Sequence, residues 1–369
     1  GRPAASACRA AAVPASNRGR LAFIASLTVA SVAIAASFNW AQNELNIQLH
    51  SFQDTRGVTV LAPSADLAKD FTDRTSARFK FGVDSISAAS DSCARCHPQG
   101  ASNTRLFTGV SITKKLSDSL KWTYGGEVSK ERFYSAITGS TSVAKEFNKA
   151  NTTVAGGFAF SLNSPVLHPS SEAERQTNPG VYANLTQVVS KSTVAQVGYE
   201  FSQVSGFQAS PFLRTPVNGV MLVGNTPDQR TRHTASARIR QALPGDTYLE
   251  ADYRRYHDTW SIDSNTVSVG LSKHVSPALL LGGTYRYYEQ SGAYFYQASY
   301  TGTPTYYTGD FRLSPFKSGT FTGRATYTPG TGTLGLPEGS GFDLQYDRYH
   351  GTNGFDAAIF SFGLRIPLK

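Results

Sequence analysis

Apolar and polar side chains alternate along most of the chain from about residue 73 onward. In the segment ARFKFGVD (77–84) the odd-numbered positions are apolar, whereas the even-numbered positions are Arg, Lys, Gly and Asp. The same division recurs in STVAQVGYEFS (192–202), YLEADYRR (248–255) and FTGRATY (321–327). A period of two indicates β-strands with one apolar and one polar face, so the pattern predicts an all-β protein.

The spacing of these segments predicts an antiparallel transmembrane β-barrel. Tight connectors (115–120, 146–151, 190–193, 242–246, 274–278) alternate with long ones (163–181, 205–231, 290–307), which is typical of short periplasmic turns and long outer loops. A soluble β-sandwich, which also alternates, is the alternative. We expect about fourteen strands, with sixteen open because Pro315 and Gly319 interrupt one segment. The predicted strands are 73–86, 104–115, 119–130, 133–146, 150–162, 181–190, 193–204, 232–243, 247–257, 263–274, 278–289, 308–328, 341–350 and 355–367.

The N-terminal part divides into two segments before the barrel (73–369). Arg18 and Arg20 precede the apolar stretch 21–36, and small residues follow it. This layout predicts that residues 1–41 are an upstream extension plus a cleaved signal peptide for Sec export to a bacterial outer membrane; a buried helix or membrane anchor is the alternative. Residues 42–72 then enter from the periplasm, and we expect a lumenal plug or short inner strands there.

Composition and charge narrow the class of partner. The chain of 369 residues has 33 Gly, 22 Phe and 18 Tyr, only 17% charged residues, and a net charge of +9. Lys and Arg are scattered and form no basic stripe, which excludes nucleic acid as the expected partner. The basic balance favours contact with anionic head groups of outer-membrane lipid and lipopolysaccharide.

The sequence CARCH (93–97) supplies the groups that attach a c-type haem. Two thiols, Cys93 and Cys96, would bond the haem vinyl groups, and His97 would be the axial iron ligand. A Cys93–Cys96 disulfide, free thiols or another metal site are the alternatives. The loop 87–103 is expected on the outer side or in the upper lumen. Candidates for a second axial ligand are His50, His168, His233, His257, His274 and His350.

The polar faces of the predicted strands carry both signs of charge, which could line a selective pore or fill a closed barrel with ion pairs. The pore-lining candidates are Arg238, Arg240, Arg254, Arg286, Glu250 and Asp252. No linear catalytic motif is present, so we expect no enzyme. A hydrolase with a Ser–His pair assembled across strands, around His257 or His274, is the alternative.

Three stretches, 227–244, 250–272 and 285–316, resemble a domain-of-unknown-function family of Gram-negative outer-membrane barrels, and 57–90 resembles the N-terminal block of that family. The resemblance implies fold and location but no activity. With CARCH it favours a barrel that carries one covalent haem c and transfers electrons at or across the outer membrane, with a periplasmic or outer-surface cytochrome as redox partner. A haem-free porin-like channel or envelope scaffold is the alternative.

Overall fold

The computed structural model describes residues 43–88, 101–165, 174–210, 213–330 and 335–368. Within these ranges the chain forms eighteen strands and one turn of 3-10 helix at Phe311–Leu313. No helix in the described ranges is long and apolar enough to cross a membrane. The strands are β1 Glu44–Asp54, β2 Val58–Thr72, β3 Thr75–Ala88, β4 Ala101–Ser117, β5 Leu120–Lys130, β6 Tyr134–Phe147, β7 Thr152–Pro165, β8 Gln176–Ser190, β9 Thr193–Gly206, β10 Arg214–Val217, β11 Val220–Val223, β12 Gln229–Leu243, β13 Thr247–Asp258, β14 Asp263–Ser276, β15 Leu279–Gln290, β16 Phe316–Tyr327, β17 Gly341–Gly351 and β18 Asp356–Pro367.

Sixteen of these strands form one closed antiparallel barrel, and β10 and β11 form a separate hairpin. Each barrel strand pairs with its neighbours in the chain, and β9 pairs directly with β12. The barrel closes where β1 pairs with β18, with Leu45 opposite Ile366 and Asp54 opposite Ala357. Closure leaves no strand edge unpaired, which is the requirement for a sheet surrounded by lipid.

The sequence led us to expect a plug or short inner strands at 42–72, and this expectation was wrong. The segment forms β1 and β2, which are full members of the barrel wall, and it raises the strand number from the expected fourteen to sixteen. Leu45, Ile47 and Leu49 alternate with polar residues as in the later strands. In the closed sheet β1 covers the edge of β18 and β2 covers the edge of β3.

The outward face of the barrel is an apolar band. On β14 the outward positions Val267, Val269 and Leu271 are exposed, and they lie between the polar residues Asn265 and Lys273. Outward rows on the other strands are also apolar in the middle. Large apolar side chains exposed in this way have no partner within the described part of the chain, so this band is a surface suited to lipid acyl chains.

The two ends of the barrel differ. At one end the strands are joined by short turns such as 73–74, 118–119, 191–192 and 277–278, with 328–340 as the one longer connection among those at this end. At the other end, which we call the mouth, the longest connections are 207–228 and 291–315. The predicted asymmetry between tight and long connectors is therefore confirmed.

One predicted strand begins later than expected. The segment 308–328 is a strand only from Phe316, because residues 308–315 belong to the long mouth connection and contain the 3-10 turn. Asp310 caps this turn by accepting a hydrogen bond from the backbone N–H of Arg312. Pro315 follows and cannot donate to a ladder, so the strand starts after it.

Candidate functional site: the barrel interior and its mouth

The inward face of the barrel carries the charged side chains. The register puts Arg238, Arg240, Arg254, Arg286, Glu250 and Asp252 on one side of the sheet, opposite to the exposed apolar rows. Polar residues on this same side, such as Ser76, Ser161 and Thr234, are buried although they lie in the wall of the barrel. The six residues that the sequence singles out thus share the interior.

Most inward arginines form ion pairs with carboxylates on the next strand. Arg238 pairs with Asp252, its direct opposite on β13, and Arg240 pairs with Glu250 in the same way. On another part of the wall, Arg324 lies 3.0 Å from Asp343. These cross-strand pairs account for most of the lining charge.

Arg286 differs from these arginines. It has no carboxylate within ion-pair distance among the residues that the structure describes, and its side chain is exposed although it faces inward near the middle of β15. Arg254 is only weakly paired, at 3.9 Å from Glu200, and its side chain is 40% exposed. Water therefore reaches the interior at this level, because an arginine packed in a filled barrel would be buried.

The interior wall formed by β6, β7 and β8 is almost uncharged. Its inward positions are mainly Ser, Thr, Ala, Gly and Asn, as in the run Thr138, Ser140 and Ser142 on β6. Short side chains leave space in front of this wall. The charged inward side chains of β12 to β16 therefore share the lumen with a wall whose side chains are short and uncharged.

At the mouth, the two longest connections pack against each other. The hairpin β10–β11 contacts the connection 291–315 through a bridge between Val217 and Tyr300 and a second between Asn225 and Tyr307. The buried Tyr300 hydroxyl donates to the carbonyl of Phe295 at 2.8 Å. These contacts give the long connections a defined structure of their own.

Asp258 joins the wall to the mouth connections. Its carboxylate is fully buried, accepts hydrogen bonds from Arg230 and Tyr256, and accepts two more from the backbone N–H groups of Trp260 and Ile262. Trp260 is also buried, and it packs with other apolar residues of this connection and of 291–315. The charge of Asp258 is thus paired and hydrogen-bonded, as a buried charge must be.

Residues 308–314, which we call the crossing segment, extend over the mouth. Asp310 lies close enough to Arg56 of the β1–β2 turn and to Arg230 of β12 for their charges to interact. β1 and β12 are seven steps apart in the ring of sixteen strands, so these two arginines belong to nearly opposite sides of the barrel. A segment near both must cross the opening.

Contacts fix the crossing segment at both sides. The guanidinium of Arg56 lies 3.4 Å from the centre of the Phe311 ring, and Phe311 stacks on Phe355 at 5.5 Å. At the other side, a β-carbon on Gly309 would lie 2.4 Å from the carbonyl oxygen of Arg214 on β10, so only glycine allows this approach. The segment is thereby held between the β1–β2 turn and the β10–β11 hairpin.

Asp310 within this segment has a shifted pKa. Burial alone would raise it, but the charge of Arg312 and hydrogen bonds from the Arg312 side chain and backbone outweigh burial. The pKa of Asp310 therefore lies below its ordinary value of 3.8. The carboxylate form is the one that the folded mouth stabilises.

The predicted haem site is not placed by the structure, because Cys93, Cys96 and His97 lie outside the described residues. His168 is also outside them. Among the other candidate axial ligands, His233, His257 and His350 lie on the outward face, whereas His50 and His274 point inward. No group of three or more potential metal-ligating side chains occurs in the described part of the chain.

The structure also locates the histidines considered for hydrolysis. His257 contacts Asp263, and His274 contacts the Tyr248 ring; no hydrogen bond from either to a serine is found among the described residues. The Ser–His pair that does occur is His50 with Ser361, whose Oγ lies 2.7 Å from the ring Nδ1. Within the described residues, the structure therefore pairs neither His257 nor His274 with a serine.

Sequence reasoning missed the structured mouth. A signal was present in PVNGVM (216–221), because Asn-Gly between apolar residues predicts a two-residue hairpin turn. Asn218 and Gly219 both adopt positive φ there, at 49° and 80°. The role of Asp258 has no local signal, since Arg230 is distant in sequence.

The interior, the apolar band and the closed sheet define an outer-membrane-type, porin-like β-barrel. The model of the family "Protein of unknown function (DUF3570)" matches residues 165–327, which is less than half of the chain but includes both long mouth connections. The resembling block 57–90 lies outside this match. No curated protein matches the chain significantly.

Several solved outer-membrane structures are similar to this chain. Pseudomonas aeruginosa OccK11 (OpdR) is 9% identical over 89% of this chain and 96% of that chain, with a TM-score of 0.47. A BenF-like porin from Pseudomonas fluorescens Pf-5 is 10% identical over 89% and 99%, with a TM-score of 0.48. At this level of similarity the architecture rests on the strand pairing described above, and solute or partner is not transferred.

Proposed function

We propose that the protein is a porin-like channel that lets small hydrophilic solutes cross an outer membrane. The observation that carries this proposal is Arg286, a charged side chain that faces the interior near mid-strand and is exposed to water. Arg254 supports it in the same way. Salt-bridged filling of a closed barrel, the other reading of these charges, would bury both side chains.

Conductance in a planar lipid bilayer tests the channel. The purified, folded full-length barrel should produce stepwise increases of current, and the same protein unfolded by heat should produce none. A folded barrel, identified by its faster migration on a gel without heating, that gives no current would contradict the proposal. In that case the barrel is an envelope scaffold, with ion pairs filling its interior.

A second proposal concerns export and location. Residues 1–41 act as an upstream extension and cleaved Sec signal peptide, and the exposed apolar band contacts lipid and lipopolysaccharide. The layout of charged and apolar residues around 18–36 supports the first part. N-terminal sequencing of the protein from isolated outer membranes tests it, and an N-terminus before residue 18 would contradict it.

A third proposal is covalent haem, which the motif CARCH supports by its sequence alone. The haem would serve electron transfer to a cytochrome partner. Expression with the cytochrome c maturation machinery, followed by a haem stain on a denaturing gel, tests it. A stain that is lost in Cys93→Ser supports attachment, whereas a wild-type chain without stain favours a Cys93–Cys96 disulfide and a haem-free channel.

A further inference from the structure

Two hydroxyl-bearing residues flank Arg286 on the inward face. Ser268 lies directly opposite on β14, and Thr320 lies directly opposite on β16. Side chains at such directly opposed positions have β-carbons about 4.5–5.5 Å apart, so both residues border Arg286 on the inward face. The Arg286 guanidinium itself lies 5.9 Å from the centre of the Tyr288 ring. Every one of these groups can donate a hydrogen bond.

A second arginine faces the same place. Arg254 lies opposite Thr266 on β14, one inward position from Ser268, and its positive charge acts on Arg286. Arg254 also lies 3.9 Å from Glu200, whereas Arg286 has no carboxylate within ion-pair distance among the described residues. The repulsion between the two arginines is relieved when an anion binds between them. The geometry thus leaves a local surplus of positive charge.

The carboxylates around this position are already engaged. Asp252 is opposite Ser268 on the far side of β14 and pairs with Arg238. Asp347 lies on β17, opposite Thr322 of β16, and it accepts hydrogen bonds from Thr322 and Gln345. Neither is an ion-pair partner of Arg286.

We infer that Arg286 and Arg254, with the hydroxyls of Ser268 and Thr320, form an anion subsite for a small oxyanion such as a phosphate or carboxylate group. A guanidinium presents paired N–H donors that match two oxygens of such a group, and the hydroxyls satisfy others. The inference deepens the proposed channel and rests on it, because the subsite would select the class of solute that passes.

Binding of inorganic phosphate to the folded full-length barrel in detergent tests the subsite without requiring conductance. The binding is measured by the broadening of the phosphorus NMR signal. The wild type should show saturable broadening. Arg286→Gln should weaken the binding about tenfold, because a charge-assisted bidentate contact is lost. The matched control is Arg324→Gln, which removes the same charge from the lining but not from the subsite, and it should bind within about twofold of wild type.

Ser268→Ala combined with Thr320→Ala is a second variant, which removes two donors with little risk to the fold and should also weaken binding. Unchanged phosphate binding in Arg286→Gln, or equal weakening in Arg324→Gln, would overturn the subsite. Conductance without phosphate binding overturns the subsite alone. Phosphate binding without conductance contradicts the channel alone.

Discussion

At the scale of single residues, the positions that hold the mouth together are buried charges with several partners. Asp258 accepts five hydrogen bonds, two of them from the guanidinium of Arg230. Asp310 accepts from both the backbone and the side chain of Arg312. Such groups stabilise the structure only as complete sets, because a single missing partner leaves a buried charge unpaired.

Asp258→Asn should destabilise the folded barrel. It leaves Arg230 without a buried counter-charge, and breaking such a pair costs about 3–5 kcal/mol. The midpoint of urea unfolding in lipid vesicles measures the change. Asp263→Asn is the matched control, because its pair with Arg255 is 40% exposed on the aspartate side and such pairs contribute less than about 1 kcal/mol. Equal shifts in the two variants would contradict the role of Asp258.

Asp310 predicts a pH dependence. Its folded-state pKa is depressed below 3.8, so its contribution to stability is present above the unfolded value and is lost as pH falls through the folded value. Wild-type stability should therefore decrease as pH is lowered below about 4. Asp310→Asn should be less stable at neutral pH and should lose less on acidification. Parallel curves of thermal midpoint against pH would count against this assignment.

At the scale of elements, the crossing segment is supported mainly by side chains from other connections. Arg56 and Phe355 come from turns at one side of the mouth, and the β10–β11 hairpin supports the segment from the other. The segment itself has only one turn of 3-10 helix. Its stability therefore depends on contacts that single substitutions can remove.

Arg56→Ala should release one side of the crossing segment. Hydrogen exchange of the backbone amides at 308–314 should become faster, because the contacts to Phe311 and Phe355 are lost, whereas exchange in β10–β11 should change little. Arg74→Ala, in a turn at the opposite end, is the control. Unchanged exchange at 308–314 would show that Arg56 does not hold the segment.

The elements also show what sequence can and cannot predict. Fourteen predicted strands correspond to β3–β9 and β12–β18, because alternation is a local property. β1 and β2 were missed although their apolar and polar residues alternate. The fourteen predicted strands are an even number, which already allows a barrel to close, and no local pattern shows which two strands pair to close it. Likewise, the alternation of apolar and polar residues predicts that Arg286 faces inward. Whether a carboxylate lies close enough to pair with it depends on the register of β14, β15 and β16, which the local pattern does not show.

At the scale of the whole molecule, lipid contact requires that the outward face stay apolar. Val269→Lys introduces a charge in the centre of the apolar band and should cost about 2–4 kcal/mol. Ser140→Lys is the matched control, since it adds the same charge on the inward face among small residues. The folded fraction after insertion into vesicles, read on an unheated gel, compares the two. Equal loss would mean that the band does not face lipid.

The seam between β1 and β18 has a further consequence. The backbone N–H of Leu368 donates to the carbonyl of Asn43 at 2.7 Å, so the first and last described residues meet beside the short turns. Every strand of the wall, including the first and the last, therefore has two hydrogen-bonded neighbours. A circular permutant, with these ends joined and the backbone opened at the exposed turn residue Lys191, should keep every strand pairing, because neighbouring ends and exposed turns tolerate such a change of connectivity.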